Sequence, residues 1–470
     1  MTATAAEPAD PTEPTEGRRG PGRWIEDWRP EDPGFWERTG RKVANRNLWF
    51  SVFSEHIGFS IWSMWSVLVL FMPETAYHID TAGKFFLVSI PTLFGSLLRL
   101  PYTMAVAVFG GRNWTIISAA LLLVPSIAAA VVMHPGTSYT TFMIVAALGG
   151  VGGGNFASSM TNINAFFPEK EKGRALGLNA GGGNLGVAVI QLVGLLIIAT
   201  AGTSAPRLIF AIYLPLIVIA TVGAAMTMDN LSTVRNDTGA LKESVRDAQT
   251  WVISFLYIGT FGSFIGYSFA FGLVLQNQFG RTPLQAATLT FIGPLLGSLI
   301  RPLGGSLSDR IGGVKVTFWN FVAMAVSTVI CIVASGIESL PIFVVGFVLL
   351  FITSGIGNGS VYKMIPAVFR TKALAASEEK GWDQEAALLW ARRISGAVIG
   401  IAGAIGAFGG LLINLAFRTS FQTAKSGTPA FWAFLAFYAV CFAVTYLVYM
   451  RGGKAATDPT SGRRLAYADV

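Results

Sequence analysis

The chain has 470 residues, of which 52% are hydrophobic and only 13% charged, with 53 glycines; a water-soluble globular protein of this size does not carry that balance. A net charge of +8 would suit a nucleic-acid binder, but the basic residues are strewn between apolar stretches rather than gathered in a patch, and that reading is set aside. What remains is a polytopic membrane protein, whose spans are helices because every backbone group in lipid needs an internal partner.

Residues 1–46 are polar, rich in Pro, Glu and Arg, and hold no apolar core of signal-peptide type. Twelve apolar stretches follow, each near the roughly 20 residues that a hydrocarbon core requires. The first six are 47–73, 83–109, 113–133, 139–166, 173–201 and 205–228; the second six are 250–278, 284–307, 314–335, 340–368, 389–416 and 429–450. The longest charged interruption, DNLSTVRNDTGALKESVRDAQT from Asp229 to Thr250, divides them. The expected layout is a segment at 1–46, a half at 47–228, a linker at 229–249, a half at 250–450 and a tail at 451–470. Of the 34 Lys and Arg, 26 fall in the tails, in loops after even-numbered spans or at the span ends that adjoin those loops, whereas Lys84, Arg207, Arg281, Arg418 and Lys425 fall on the other side. By the positive-inside rule both termini are expected in the cytoplasm.

Within span 1, Glu55 and His56 stand where apolar residues are expected, and Glu55, close to the start of the span, is placed near the cytoplasmic mouth. Span 2 carries Arg99 in FGSLLRLPYTMAVAVFGG, and span 8, its counterpart in the second half, carries Arg301 in FIGPLLGSLIRPLGG. An arginine at the centre of a membrane helix costs about 2.5–3.5 kcal/mol on insertion scales, so each marks a function by default. Two of them at matching positions predict one shared, positively charged cavity between the halves. A planar, permanently charged guanidinium suits an oxyanion. The alternative is that each arginine caps carbonyls or pairs with a carboxylate at a helix interface, but of the 26 Asp and Glu only Glu55 lies clearly within a span, and it is placed near the mouth, which leaves the arginines uncompensated. Glycine-rich runs at 149–186 and 400–410 read as close helix packing; a phosphate-binding G-x-G-x-x-G is discounted because no strand precedes it. Lys363, near the end of span 10, is expected to snorkel rather than bind substrate. The stretch RTKALAASEEKGWDQEAALLWARR, 370–393, is expected to be an amphipathic connection to span 11. Cys331 and Cys441 are isolated, and His56, His78 and His134 are scattered, so no disulfide, metal or other cofactor is expected.

The segment GGSLSDRIGGVK, 304–315, resembles the loop signature of major facilitator proteins. NFASSMTNINAFFP, ALGLNAGGGNLG and GIGNGSVYKMI resemble signature segments of the nitrate/nitrite porter family, the NarK-like members of that superfamily. The likeness runs from DWRPEDPGFWERTGRKVANRNLW, 27–49, through YIGTFGSFIGYSFAF, 257–271, to the last span. It implies an all-α major facilitator fold of twelve transmembrane helices in two six-helix halves, and nitrate and nitrite as substrates. It further implies that Arg99 and Arg301 clasp the anion, that Phe156 and Phe261 pack against its faces, and that Tyr257 and Asn184 lend hydrogen bonds. The chain departs from the family pattern at Glu55 and His56, and at Gly403, where a small hydroxyl is looked for.

The mechanism expected is nitrate-in, nitrite-out antiport by a monomeric unit of the inner membrane. Exchange of monovalent anions avoids the membrane potential, which opposes one negative charge by about 2.3 kcal/mol per 100 mV. Proton symport is the nearest rival and would need Glu55 or His56. A membrane enzyme lacks haem or metal ligands, and a sensor lacks an output domain.

Overall fold

The computed structural model describes residues 19–381, 383–452, 454–457 and 464–467. Twelve long helices dominate it. In the first half they are α1 (Arg41–Leu68), α2 (Thr81–Phe109), α3 (Gly111–Val132), α4 (Tyr139–Phe166), α5 (Glu169–Ala201) and α6 (Arg207–Thr227). In the second they are α7 (Ala248–Phe279), α8 (Pro283–Ile311), α9 (Gly313–Gly336), α10 (Leu340–Glu379), α11 (Gln384–Ala424) and α12 (Thr428–Met450). Eleven are long and apolar enough to cross a membrane. The remaining one, α1, is long enough but carries Ser51, Ser54, Glu55, Ser60, Ser63 and Ser66, all buried. Three of its serines are satisfied by carbonyls: Ser63 Oγ donates to that of Phe59 at 2.8 Å, Ser66 Oγ to that of Ser63 at 2.7 Å and Ser60 Oγ to that of Gly186 in α5 at 2.9 Å, whereas Ser51 and Ser54 Oγ have no partner among the described residues. From Ile57 to Leu68 the helix is enclosed by protein on all sides, which lets it tolerate polar residues that lipid would reject.

An even number of spans leaves both chain ends on one face, called here the terminal face. On that face each half turns its second helix into its third at a glycine in the left-handed φ range, Gly110 (φ 86°) and Gly312 (φ 94°). These matching turns are a trace of duplication, and only glycine adopts them without strain.

One expectation is corrected, and the linker takes on structure that the sequence reading left open. Residues 370–380 do not form a surface connection but prolong α10 past Pro366, and α11 begins at Gln384, so the expected insert shrinks to a turn at Gly381 (φ 65°). The physical reason is propensity: KALAASEE contains no helix breaker. The interhalf linker is likewise ordered at both ends. Asn230–Leu231 pairs in parallel with Trp24–Ile25, and the buried Asp229 carboxylate accepts from Arg19 (2.7 Å), Arg23 (3.0 Å), Asn47 (3.1 Å) and Arg46. Ile25, Trp28, Phe35 and Trp36 then pack on Leu48, Phe166 and Phe167, fastening the entry segment to the first half. At its far end the linker becomes the helix Thr238–Arg246, which belongs to α11. There Asp237 pairs with Arg393, and Trp390 Nε1 donates to Glu243 at 2.6 Å. The Arg393 hydrogen bond holds the Asp237 carboxyl below the usual carboxylate range.

The halves meet more tightly away from the terminal face. There Phe85 of α2 stacks on Phe417 and Phe421 of α11 at 5.7 and 5.3 Å. Thr81 donates to Asn277 at 2.6 Å, and Arg418 lies 4.8 Å over the Phe86 ring. Toward the terminal face contact is sparse. A methyl added at Gly177 of α5 or Gly396 of α11 would meet nothing within 4 Å among the described residues, and one at Gly173 would meet only Lys363.

Candidate functional site

The centre of the molecule is an aromatic slab gripped by two arginines. Phe156 comes from α4, and Phe261 from a π-helical turn in α7, Ile258–Gly262. Such a turn inserts an extra residue into the helix and is frequent at functional sites. It is permitted here because Gly262 and Gly409 of α11 touch backbone to backbone, a hypothetical Cβ on Gly262 lying 2.7 Å from the Gly409 Cα. The two rings lie 6.0 Å apart and 27° from parallel. Tyr257 stacks on Phe261 at 5.2 Å and 8°, and Tyr362 of α10 closes the slab 5.1 Å from Tyr257 and 6.3 Å from Phe156.

Arg99 is fully buried, its Cζ 4.6 Å from the Phe156 ring, 4.9 Å from Phe261 and 5.5 Å from Trp62. Arg301 approaches the same two rings at 5.7 and 5.9 Å, and Tyr362 at 5.4 Å. Two helices from different halves thus deliver like charges to one pair of rings, whose negative faces partly offset the repulsion. Arg99 Nη1 donates to the Gly403 carbonyl at 2.9 Å, and Arg301 Nη2 to the Tyr257 hydroxyl at 3.2 Å. Of the remaining guanidinium nitrogens, Nε and Nη2 of Arg99 and Nη1 of Arg301 are buried without a partner among the described residues. Unpaired donors on a buried charge are costly and imply an acceptor that joins them.

Five of the six residues singled out in the sequence, Arg99, Arg301, Phe156, Phe261 and Tyr257, therefore adjoin one another. Asn184 is buried on α5 with both amide atoms unpartnered, and among the described hydrogen bonds it reaches neither arginine. Gly403, which lacks the hydroxyl looked for there, contributes its backbone: its carbonyl anchors Arg99, and a Cβ would lie 3.6 Å from the Tyr362 hydroxyl. Lys363 lies apart, pairing with Asp309 in the last turn of α8 at 2.7 Å. Tyr362 and Trp62 were missed, since an aromatic residue in an apolar span gives no signal of its own; Tyr362 sits one residue before Lys363 in a quoted motif.

The placement of Glu55 is corrected. It is not near a mouth but 1% exposed, with Oε2 accepting from Asn179 Nδ2 at 2.6 Å and from Ser159 Oγ. It lies within Coulombic range of both Arg301 and Arg99 but pairs with neither among the described salt bridges. One turn of α4 separates Ser159 from Phe156, which explains the proximity.

The family profile of the Major Facilitator Superfamily matches residues 48–377. The nitrate/nitrite transporter NarU of Escherichia coli (strain K12) is 37% identical over 446 residues, 91% of this chain and 96% of that protein. The chain belongs to the NarK-like nitrate/nitrite porter family of the Major Facilitator Superfamily. A probable nitrate/nitrite antiporter, NarK2 of Thermus thermophilus, is 32% identical over 92% of this chain and 98% of its own length. Among solved structures, a partially occluded inward-open conformation of the xylose transporter XylE from E. coli superposes with a TM-score of 0.65 at 13% identity. It covers 88% of this chain and 99% of that one, a likeness of fold alone. As in that fold, this NarK-like porter is an all-α, multi-pass membrane protein of two six-helix halves. Within it, the arginine pair and its rings lie on helices of both halves, α1, α2 and α4 of one and α7, α8 and α10 of the other, with α11 supplying the Gly403 carbonyl.

Proposed function

We propose that the chain transports nitrate and nitrite by alternating access, with the anion held between Arg99 and Arg301. One observation carries the reading: buried guanidinium N–H groups of both arginines lie unpaired beside the same two rings. A planar oxyanion accepts from such donors while its faces lie against Phe156 and Phe261. The relatives' names, nitrate/nitrite transporter and probable nitrate/nitrite antiporter, support the substrate. Exchange of one monovalent anion for another moves no net charge, so nitrate entry with nitrite exit proceeds against an inside-negative potential. The terminal face, rich in Lys and Arg, is the cytoplasmic one of the inner membrane, and one chain forms the transport unit.

Counterflow tests this. Proteoliposomes loaded with nitrite should accumulate labelled nitrate transiently, and external sulfate should not compete. Absence of trans-stimulation by either anion in a folded preparation would defeat the proposal.

A further inference from the structure

Asn358 of α10 is fully buried, and neither atom of its side-chain amide has a partner among the described residues. A buried amide left unjoined costs its full desolvation, so a site that keeps one takes its partner from outside the protein. Two other asparagines share this state: Asn162 abuts Gly111 at the α2–α3 turn on the terminal face, and Asn184 is a residue whose role the family likeness already implies. The neighbours of Asn358 on α10 fix where its amide lies. Gly355 and Gly359 face α8 at the Gly297 and Arg301 carbonyls, and Gly357 faces Thr260 of the π-helical turn and Asn320 of α9. Residues four apart share a helix face, so Asn358 shares one with Tyr362, whose ring lies 5.1 Å from Tyr257. Two turns the other way, Phe351 lies 6.1 Å from Phe264. On α7, Phe261 is stacked between those two partners, 5.2 Å from Tyr257 and 6.5 Å from Phe264. The helices run in opposite directions, and one turn from Tyr362 on α10 matches one turn from Tyr257 on α7. Asn358 is therefore level with Phe261, the ring that Arg99 approaches at 4.9 Å and Arg301 at 5.9 Å.

We infer that Asn358 is the residue that tells nitrate from nitrite: its Nδ2 donates to the third oxygen of a nitrate whose other two oxygens meet the two guanidinium groups. The inference rests on the arginine pair being the anion site. Nitrate is trigonal and planar, so an ion lying flat between Phe156 and Phe261 and held by two arginines turns its remaining oxygen in a third direction within the same plane. Asn358 stands at that level. Nitrite has no atom there, only a nitrogen lone pair set further back. Its two oxygens meet the arginines as those of nitrate do, while the amide of Asn358 stays unjoined. A site built to pair with a given oxygen rejects the ion that lacks it, because its own buried polar group is then left without a partner. The charge of nitrate is spread over three oxygens, which puts this bond at the weak end of the charge-assisted range and makes the preference about tenfold. The arginines bind either anion, and Asn358 ranks them.

Asn358→Leu keeps the volume of the side chain and removes its donors. Full-length parent and variant in proteoliposomes are assayed by counterflow of labelled nitrate, with unlabelled nitrate and unlabelled nitrite as competitors in separate runs. Half-inhibiting nitrate should rise roughly tenfold in the variant, while half-inhibiting nitrite stays within about a factor of two of the parent. An equal rise for both anions would show a packing role and overturn the inference. An unchanged nitrate value, which makes water the partner of the amide, or a larger rise for nitrite would overturn it as well. If Asn358→Leu does not fold, as judged by its gel-filtration profile, Asn358→Val, apolar and of similar size, is read by the same ratio. Absence of counterflow in the parent would instead strike the arginine site, whereas a failure confined to the ratio strikes Asn358 alone.

Discussion

Replacing Arg99 with lysine preserves the charge but removes the fork. Arg99 presents Nε and Nη2 without protein partners while Nη1 is tied to the Gly403 carbonyl. A lysine ammonium, on a shorter and more flexible stem, cannot both keep that anchor and offer two directed donors. Losing one charge-assisted hydrogen bond costs about 1.5–3 kcal/mol, which converts to roughly a 10- to 150-fold rise in half-saturating nitrate. The loss of ring stacking, now 4.6 Å over Phe156 and 4.9 Å over Phe261, acts in the same direction. The assay is labelled-nitrate counterflow across a range of nitrate concentrations, with melting temperature and gel-filtration profile as checks on folding. A folded Arg99→Lys carrier whose half-saturation lies within about a factor of three of the parent would refute the clasp.

Phe156→Ala and Phe261→Ala each remove one wall, so discrimination of nitrate from chlorate should fall by roughly tenfold or more, read as competition in counterflow. Gly152→Ala would drive a methyl to 2.2 Å from the Gly58 carbonyl oxygen at the α1–α4 contact. Overpacking of this kind costs about 1–3 kcal/mol, so the melting temperature in detergent should drop, whereas Gly177→Ala, with open space around it, should not shift it. Asp229→Ala leaves Arg19, Arg23 and Arg46 without their common acceptor; because these arginines are partly exposed, the loss should be nearer 2 than the roughly 3–5 kcal/mol of a fully buried pair. Limited proteolysis before Arg41 should then quicken relative to the parent.

The arginine pair was legible in the sequence because its two members break the same rule at equivalent places: a charge stands mid-span where lipid forbids it. The fold was legible for a related reason, since the count of apolar stretches and the placement of Lys and Arg follow from bilayer thickness and topology. Glu55 was misplaced because distance from the start of a span says nothing about how far the helix extends beyond it. Here α1 begins at Arg41 rather than near Asn47, which carries Glu55 a turn and a half deeper. Nor could spacing show that Asn179 and Ser159, from two other helices, would close on its carboxylate. The helix continuation through 370–380 was hidden by its charges, which suggest a separate amphipathic connection, although the same residues are strong helix formers.

The divided allegiance of the linker sets a mechanical limit. Up to Ser232, whose N–H donates to the Ile25 carbonyl at 3.1 Å, it travels with the first half, and from Asp237 onward it travels with α11. Four residues, 233–236, lie between the two anchors, Asn236 being held only by its side chain to the Met104 carbonyl of α2 at 3.0 Å, and the five Cα–Cα steps fully drawn out reach roughly 17 Å. The linker therefore acts as a check strap on a door: the leaves can swing on this face, but only as far as the strap runs. Rocking is bounded by covalent chain, and the stroke of the carrier is set by how little of the linker was left unfastened.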